Sequence, residues 1–272
     1  MLPDTIVTTV KDKPGLAQSG ERLALELGCP FVARQDRSLQ VLEREYGHKV
    51  TVIVGERRLS AWFGGWEFFF HPSMALLRLM NVLKGEKDRM ADALQLQKGM
   101  SVLDCTLGFG TDALVAAFLV GPEGKVVGLE ASPVVASLVS YGLGNYRFGL
   151  HPGLDPVKAK VLAGLPQAVA RIRVLNVQHR NFLSQAPSKS FDVVYFDPMF
   201  RRPREDSASM APLRGLALPD PVDEVSVREA CRVARTRVVL KEGRYSPEFE
   251  RLGFRVVSGG KYSEVAYGAI EV

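Results

Sequence analysis

The residues of this chain best suited to chemistry are Asp197-Pro198-Met199-Phe200, which follow the apolar run 191–196. An apolar run that ends in proline predicts a buried strand with a loop after it, because proline cannot continue a central strand. At that corner the Asp197 carboxylate and the Pro198 carbonyl can accept hydrogen bonds from a planar amine, and the Phe200 ring can stack on it. Such a site orients an amine for alkylation by position and electrostatics. An ordinary strand end of an α/β protein can also read Asp-Pro and have no such role.

A second candidate site lies upstream, where a short apolar run ends in Asp104 and a glycine-rich segment precedes an apolar helix. Gly108 and Gly110 allow a ligand to approach the backbone closely. The next apolar run, 125–129, ends in Glu130, where an acidic side chain can accept both hydroxyls of a ribose. This order of strand, turn, helix and strand predicts a ligand that contains a nucleoside, either NAD or S-adenosylmethionine (SAM).

Three details favour SAM over NAD. The third glycine of the dinucleotide pattern is missing, because Ala113 and Leu114 occupy that stretch. Asp104 and Asp112 flank the turn and would repel a pyrophosphate, whereas the methionine end of SAM carries an ammonium group. The 197–200 corner has a role in amine methylation and no evident role in hydride transfer.

The elements that position these residues predict an α/β fold. Strand and helix patterns alternate and end in two strands typical of an antiparallel pair, which indicates a Rossmann-like, doubly wound sheet with ligands at the carboxyl ends of its parallel strands. The predicted strands are 100–104, 125–129, 171–175, 191–196, 237–240, 254–257 and 265–270.

A separate set of strand and helix patterns precedes the residues of this sheet. Strand patterns occur at 5–10, 31–33, 50–54, 58–62 and 67–70, and helix patterns at 20–27 and 38–46. We predict an N-terminal α/β module (1–72), a helical connector (73–98) and the sheet domain (99–272). The connector residues Lys84, Glu86 and Arg89 could close over the cofactor, although a solvated linker is the favoured interpretation.

Composition and charge narrow the class of protein. The 272 residues suffice for one Rossmann-size domain with an N-terminal addition, and 46% apolar residues is ordinary for a globular chain. A net charge of +5 favours a polyanionic partner without establishing one. No apolar run reaches the length of a bilayer span and the start lacks a signal-peptide pattern, so a cytoplasmic, soluble protein is expected.

Cysteine and histidine usage argues against a metal or disulfide framework. The three cysteines are isolated from one another, and the four histidines share no ligand spacing. Cys105, beside the glycine turn, is more consistent with a small buried residue than with a nucleophile. We therefore expect no metal.

Two polar segments are candidates for ligand contact. Gln178 and His179 follow the third predicted strand, where side chains could reach an adenine ring; a solvated loop is the equal alternative. A basic loop follows the 197–200 corner, and arginine matches phosphate geometry, which predicts a phosphate clamp rather than a solvated loop. Its arginines are Arg201, Arg202, Arg204 and Arg214.

These motifs resemble those of the bacterial SAM-dependent methyltransferases that modify the exocyclic N2 of guanine in small-subunit ribosomal RNA. The resemblance rests on residues 104–112, 129–136, 141–143, 193–200 and 239–241. In that family an arginine is usual where this chain has Thr111. The resemblance implies that the cofactor-binding positions are Thr111, Asp112, Glu130, Ala131, Gln178, His179 and Asp197.

The resemblance covers residues 100–200 well and the C-terminal part loosely. The N-terminal module, including residues 68–73, is closer to a less characterised group of methyltransferase-like proteins from Gram-positive bacteria that share this core. The resemblance thus implies a class I SAM-dependent methyltransferase domain over 99–272, with RNA binding and rRNA processing as its role.

The resulting hypothesis is an N-methyltransferase that acts on an exocyclic base amine, with guanine N2 of small-subunit rRNA as the first choice. Asp197, Pro198 and Phe200 would orient and stack the amine. Asp104, Gly108, Gly110 and Asp112 would hold the methionine part of SAM. The alternatives are methylation of a protein glutamine amide and a non-catalytic SAM-binding or RNA-binding factor.

Overall fold

The computed structural model describes residue 2 and residues 4–149, 151–198, 216, 221–259 and 263–272. The first elements in chain order are β1 (Thr5–Thr9), α1 (Pro14–Leu27), α2 (Leu39–Tyr46), β2 (Val50–Val54), β3 (Leu59–Phe63), β4 (Trp66–Phe69), α3 (Ser73–Leu83), α4 (Arg89–Leu94), β5 (Ser101–Asp104), α5 (Thr111–Val120), β6 (Lys125–Glu130) and α6 (Pro133–Asn145). The remaining ones are α7 (Pro156–Val169), β7 (Ile172–Asn176), α8 (His179–Gln185), β8 (Phe191–Phe196), α9 (Glu224–Val233), β9 (Ala234–Gly243), α10 (Glu248–Arg251), β10 (Arg255–Ser258) and β11 (Val265–Glu271).

The described chain forms two compact units. The smaller unit contains residues up to 71, the segment 132–146 and residue 216, and the larger unit contains the described parts of 72–131, 147–198 and 221–272. Compactness does not establish which parts fold independently, so the boundaries at 72 and 98 stay a prediction. Within the described residues, no helix combines the length and the apolar character needed to span a membrane.

The larger unit is built on a seven-stranded sheet with the order β10-β11-β9-β8-β5-β6-β7. Strands β5 to β9 are parallel, and β11 is antiparallel to both of its neighbours. The chain leaves β5 toward one edge through β6 and β7, then returns to the other side of β5 through β8 and β9. Ligands of such sheets bind at the carboxyl ends of the strands where the order reverses. Asp104, Glu130 and Asp197 lie at that edge.

The central strands and α5 are apolar because both faces of the sheet are covered. The buried positions of β8 are 191 and 193–196, and those of β5 are 101–104. Helix α5 buries residues 113–117 as well as Val120, so it has no polar face and lies in the interior. These elements give the functional residues at their ends a rigid base.

The smaller unit contains a four-stranded sheet with the order β1-β2-β3-β4. Strands β1 and β2 are parallel, and the other pairs are antiparallel. Helix α6 belongs to this unit although it follows β6 in the chain. Its Gly142 lies against Phe70 so closely that a Cβ at residue 142 would be 2.2 Å from Phe70 Cβ. Only glycine permits this approach of α6 to the residue that follows β4.

The predicted fold class, a doubly wound sheet with an antiparallel C-terminal strand pair, is confirmed. Several element ends differ from the prediction, and β9 extends beyond both ends of the predicted strand 237–240. Helix α1 begins at Pro14, well before residue 20, because proline suits the first position of a helix. The 31–33 segment forms one bridge rather than a strand, and the polar stretch after β7 leads into helix α8.

Candidate active site

The glycine turn between β5 and α5 is held against the end of β6. Leu107 N–H donates to a β6 carbonyl at 2.9 Å, and Gly108 N–H donates to Glu130 Oε2 at 3.0 Å. Gly108 and Gly110 have φ angles of +51° and +74°, in the left-handed region that favours glycine. Beneath the turn, a Cβ at Gly128 would lie 2.5 Å from Leu107 Cδ1. The turn therefore packs on β6 without room for a further side chain.

Asp104 is a buried carboxylate at the end of β5, with only 2% of its surface exposed. Among the described residues, its one hydrogen bond comes from Thr106 N–H, at 3.1 Å. Burial, together with the neighbouring Asp112, raises the pKa of Asp104 well above its usual value. A cationic group bound at this point would offset the cost of ionising the carboxylate.

Asp112, on the first turn of α5, is the centre of a cluster of charged side chains. The Arg78 guanidinium of α3 forms an ion pair with it, the Tyr195 hydroxyl donates to its Oδ2 at 2.8 Å, and Lys241 Nζ lies 3.7 Å from the same oxygen. Burial alone would raise the pKa of Asp112, but Lys241 and Arg78 outweigh it and hold the pKa below the usual value. Asp112 is therefore ionised and neutralised by two cations.

Asp197, directly after β8, is joined to this cluster by Lys241. Lys241 Nζ donates to Asp197 Oδ2 at 2.6 Å, and Asp197 N–H donates to Thr106 Oγ1 of the glycine turn at 2.5 Å. Burial raises the pKa of Asp197 to about 6; Lys241 opposes this rise and Asp112 adds to it. We call Arg78, Asp112, Lys241 and Asp197 the charge cluster. It brings together side chains from α3, α5 and β9 with the corner after β8.

His179 requires a correction, because its side chain is part of the core. It is 1% exposed, its Nε2 lies 3.2 Å from Ser226 Oγ, and its ring packs edge-on against Phe196. No surface of the ring remains for an adenine to contact. The neighbouring Gln178 is exposed at the N-cap of α8, so it is the member of the pair that can reach a ligand.

The other predicted positions divide into those that the structure describes and those that it does not. Thr111 begins α5, and Ala131 follows β6 with its carbonyl accepting from Asn176 Nδ2 at 3.2 Å. Phe200 of the 197–200 corner and the arginines of the basic loop lie outside the described residues. Their roles in stacking and phosphate contact therefore stay predictions. These residues are Phe200, Arg201, Arg202, Arg204 and Arg214.

Sequence reasoning missed three members of the site. The sequence placed Lys241 within a segment of the family resemblance, Tyr195 in a buried strand and Arg78 in a helical connector. It predicted no role in the site for any of them. The sequence did contain a signal for two of them, which is a charged residue within or beside an apolar element. Arg78 is the only charged residue of α3, and Lys241 directly follows the buried run 238–240. A charged side chain in an apolar element has to find a partner inside the protein.

Residues 70–261 match a family model described as "Putative SAM-dependent methyltransferase". The chain belongs to this family. SAM is therefore the cofactor of the enzyme, as the glycine turn and the two carboxylates predicted.

The methyltransferase has relatives of two kinds. It is 37% identical to the "Uncharacterized protein YpiP" of Bacillus subtilis, over 98% of both chains. It is 31% identical to "Ribosomal RNA small subunit methyltransferase J" of Pseudomonas aeruginosa, over 86% of this chain and 83% of that protein. The relationship to small-subunit rRNA methyltransferases and to their uncharacterised Gram-positive relatives, expected from the motifs, is confirmed.

A solved structure agrees with the fold of the methyltransferase. The SAM-dependent methyltransferase NGO1261 from Neisseria gonorrhoeae superposes with a TM-score of 0.61, at 19% identity, over 98% of this chain and 95% of that one. At this level of identity the likeness concerns the fold.

The site of the methyltransferase fits SAM in shape and charge. The left-handed glycines keep side-chain volume away from the turn, and the Glu130 carboxylate, which lies against the turn, has the chemistry to accept ribose hydroxyls. The Asp104 carboxyl group is buried with a raised pKa, and an ammonium group such as that of SAM would favour its ionised form. Within the described residues, no group of three or more His, Cys, Asp or Glu side chains could hold a metal ion.

Proposed function

We propose that this methyltransferase transfers the methyl group of SAM to an exocyclic amine of a nucleobase, with guanine N2 in small-subunit rRNA as the target. The position of Asp197 carries the proposal. Its carboxylate follows the strand beside β5, and its backbone N–H is hydrogen-bonded to Thr106 in the turn that binds the cofactor. An amine held by Asp197 would therefore be close to the methyl donor. The small-subunit rRNA methyltransferases among the relatives support RNA as the class of substrate.

The cofactor would lie along the carboxyl ends of β5 and β6. Asp104 and the glycine turn would hold its methionine part, and Glu130 with the backbone at Ala131 would hold the ribose. Gln178, exposed at the start of α8, would reach the adenine. Thr111 and Asp112 would close the methionine end, while Arg78 and Lys241 balance the charge of Asp112.

The chain's own contribution to the reaction is orientation and proton acceptance. SAM, when bound, supplies an electrophilic methyl group. Asp197 and the Pro198 carbonyl accept the two N–H groups of the base amine and turn its nitrogen toward that methyl. As the nitrogen–carbon bond forms and the sulfur–carbon bond breaks, the amine releases one proton. A carboxylate with a pKa of about 6 can accept that proton and pass it to solvent.

The rest of the RNA would be held outside the corner. The arginines at 201, 202, 204 and 214 would contact phosphates, and Phe200 would stack on the base. A base in a duplex must be unstacked before it can reach such a corner, so a loop or a single-stranded segment is the preferred form of substrate.

The test is transfer of radiolabelled methyl groups from SAM to ribosomal subunits and naked rRNA from a strain that lacks this gene, with mass spectrometry of the nucleosides. We expect N2-methylguanosine with the wild type, and a rate about 10²–10³-fold lower with Asp197→Asn. Asp197→Asn keeps the size of the side chain, and its affinity for SAM should remain within a few-fold of wild type.

Three results would count against the proposal. Label in a protein fraction at glutamine would indicate amide methylation. RNA that binds but never gains a methyl group would indicate a non-catalytic factor. A nucleoside methylated at a ring carbon or at the 2′-hydroxyl would contradict the amine chemistry, whereas methylation of another exocyclic amine would contradict only guanine N2 as the target.

A further inference from the structure

Aromatic side chains are concentrated in one hairpin of the smaller unit. Both tryptophans of the chain and four of its phenylalanines lie within residues 62–70, which contain the end of β3, the tight turn at Gly64–Gly65, β4 and the residue after it. Trp66 is 55% exposed, and three of the phenylalanines are half-buried. Only Phe70 is fully packed, against α6. A hairpin that merely completed a sheet would not need this exposed aromatic surface.

The strand register shows which rings lie together. Phe63 is paired with Trp66 and Ser60 with Phe69, and cross-strand partners share one face of a sheet while successive pairs alternate. Phe63 and Trp66 therefore form an aromatic pair at the tip. Phe69 lies on the opposite face, where the Arg58 guanidinium stacks 4.3 Å from its ring centroid.

The other end of the hairpin is cationic. Lys13, and more weakly Lys11 and Arg57, hold the pKa of Glu56 below its usual value, so three cations surround this one carboxylate. Arg58 is shared between the Phe69 ring and Glu67, to which it donates at 3.0 Å. Aromatic rings at one end and excess positive charge at the other match a ligand with flat apolar groups and a regular negative charge.

We infer that the β3–β4 hairpin is a stacking surface for single-stranded RNA. This inference rests on the proposed function, since it names a surface that would bind the same RNA substrate. Unpaired bases would stack on Trp66 and Phe63, and phosphates would contact Arg57 and the lysines beside it. The five residues of β3 span about 16 Å at about 3.3 Å per residue, so one strand of RNA can reach from rings to cations. Duplex RNA hides its base faces and would not stack here.

The hairpin supplies its own probe, because Trp62 and Trp66 are the only tryptophans of the chain. A single-stranded RNA oligonucleotide, titrated into the full-length protein, should quench the tryptophan fluorescence. Trp66→Ala should weaken its binding at least fivefold, as expected from base–aromatic stacking. Arg57→Ala should weaken it less and flatten its dependence on salt.

Tyr46→Ala is the matched control. Tyr46 is an exposed aromatic residue of the same unit, 50% exposed and with Arg37 over its ring, but it lies outside the hairpin. We expect its RNA affinity to equal that of the wild type, and circular dichroism should show that all variants are folded. Equal affinities of Trp66→Ala and Tyr46→Ala, or equal binding of duplex and single-stranded RNA, would overturn the inference.

The design separates this inference from the proposed function. Tryptophan quenching is measured without SAM and methyl transfer with it, so the wild type reports RNA binding and methylation independently. If rRNA is methylated and Trp66→Ala has an unchanged KM, the hairpin inference alone is wrong. If binding depends on Trp66 but no RNA ever gains a methyl group, the proposed function alone is wrong.

Discussion

Ion pairs in the two units of this methyltransferase operate in different surroundings. In the charge cluster of the larger unit, the paired side chains are between 14 and 27% exposed. In the smaller unit, the pair Arg58–Glu67 is 53% and 35% exposed, and Lys13–Glu56 is 56% exposed on both sides. Arginine and lysine are thus paired with carboxylates in a mostly buried site in the larger unit and at the surface in the smaller unit.

This difference in exposure decides whether an ion pair controls the protonation state of its members. Charges withdrawn from water interact strongly, so in the cluster each neighbour decides a protonation state: Asp112 stays ionised, and Asp197 titrates near pH 6. Exposed pairs are screened and contribute little to folding. Their charges remain available to a ligand, which is the use that we infer for the hairpin.

The largest effect is expected from Arg78→Met. It removes a cation that pairs with both Asp88 and Asp112, and it leaves two mostly buried carboxylates with less compensation. The free energy of unfolding, measured with urea, should fall by about 3 kcal/mol. Arg78→Lys keeps the charge and should lose less. A loss below about 1 kcal/mol for Arg78→Met would show that the cluster behaves like the surface pairs.

Glycine substitutions in the two units should have opposite signs. Gly128→Ala places a Cβ against Leu107 and should destabilise the protein by about 1–3 kcal/mol and weaken SAM binding, because the cofactor turn must move. Gly15→Ala, in α1, has no atom within 4 Å of its new Cβ and should be neutral or stabilising by up to about 1 kcal/mol. Calorimetric SAM titration and thermal unfolding test both. Equal effects of the two substitutions would contradict the close approach at Leu107.

Lys241→Met should change the pH dependence of methyl transfer. In the wild type, activity should fall about tenfold per pH unit below pH 6, because Asp197 must be ionised to orient the amine. Lys241 favours the ionised form, so its removal should move the acid limb to higher pH and lower the rate at pH 7. A limb that stays in place would mean that another group limits the rate.

At Asp197 the stability of the protein should change with pH in the direction opposite to that of the activity. Its pKa is raised in the folded protein, so the native state binds the proton more readily, and this residue favours folding more as the pH falls below about 6. Asp112 has a lowered pKa, and its contribution, present above the unfolded value, is lost as the pH falls through its folded pKa. The measurement is urea unfolding of wild type and Asp197→Asn at pH 5 and pH 7.

The smallest effect is expected from Arg58→Met. Its partner Glu67 and the Phe69 ring are both partly in water, so the free energy of unfolding should change by less than about 1 kcal/mol. High salt should reduce even this difference. A loss as large as that of Arg78→Met would remove the contrast between the two units.

Some features could be predicted from local sequence because they depend on local chemistry. Alternating apolar runs, a glycine turn and a proline stop specify strands, turns and their ends, and parallel strands bring their carboxyl ends to one edge. Asp104, Glu130 and Asp197 follow from that rule alone. The burial of His179 could not be predicted, because the sequence pattern of a polar residue after a strand is the same whether its side chain faces solvent or packs on Phe196.

What the sequence by itself determined is the class of sheet, the edge at which a nucleoside is expected to bind, and the family to which the chain belongs. Only the tertiary structure decided which charges meet there. Arg78 reaches Asp112 across 34 positions, Lys241 reaches Asp197 across 44, and Tyr195 reaches Asp112 across 83. Such contacts leave no periodic signal in the chain, because they depend on how separate elements pack. Packing also assigned α6 to the smaller unit and left Trp66 of the hairpin exposed to solvent.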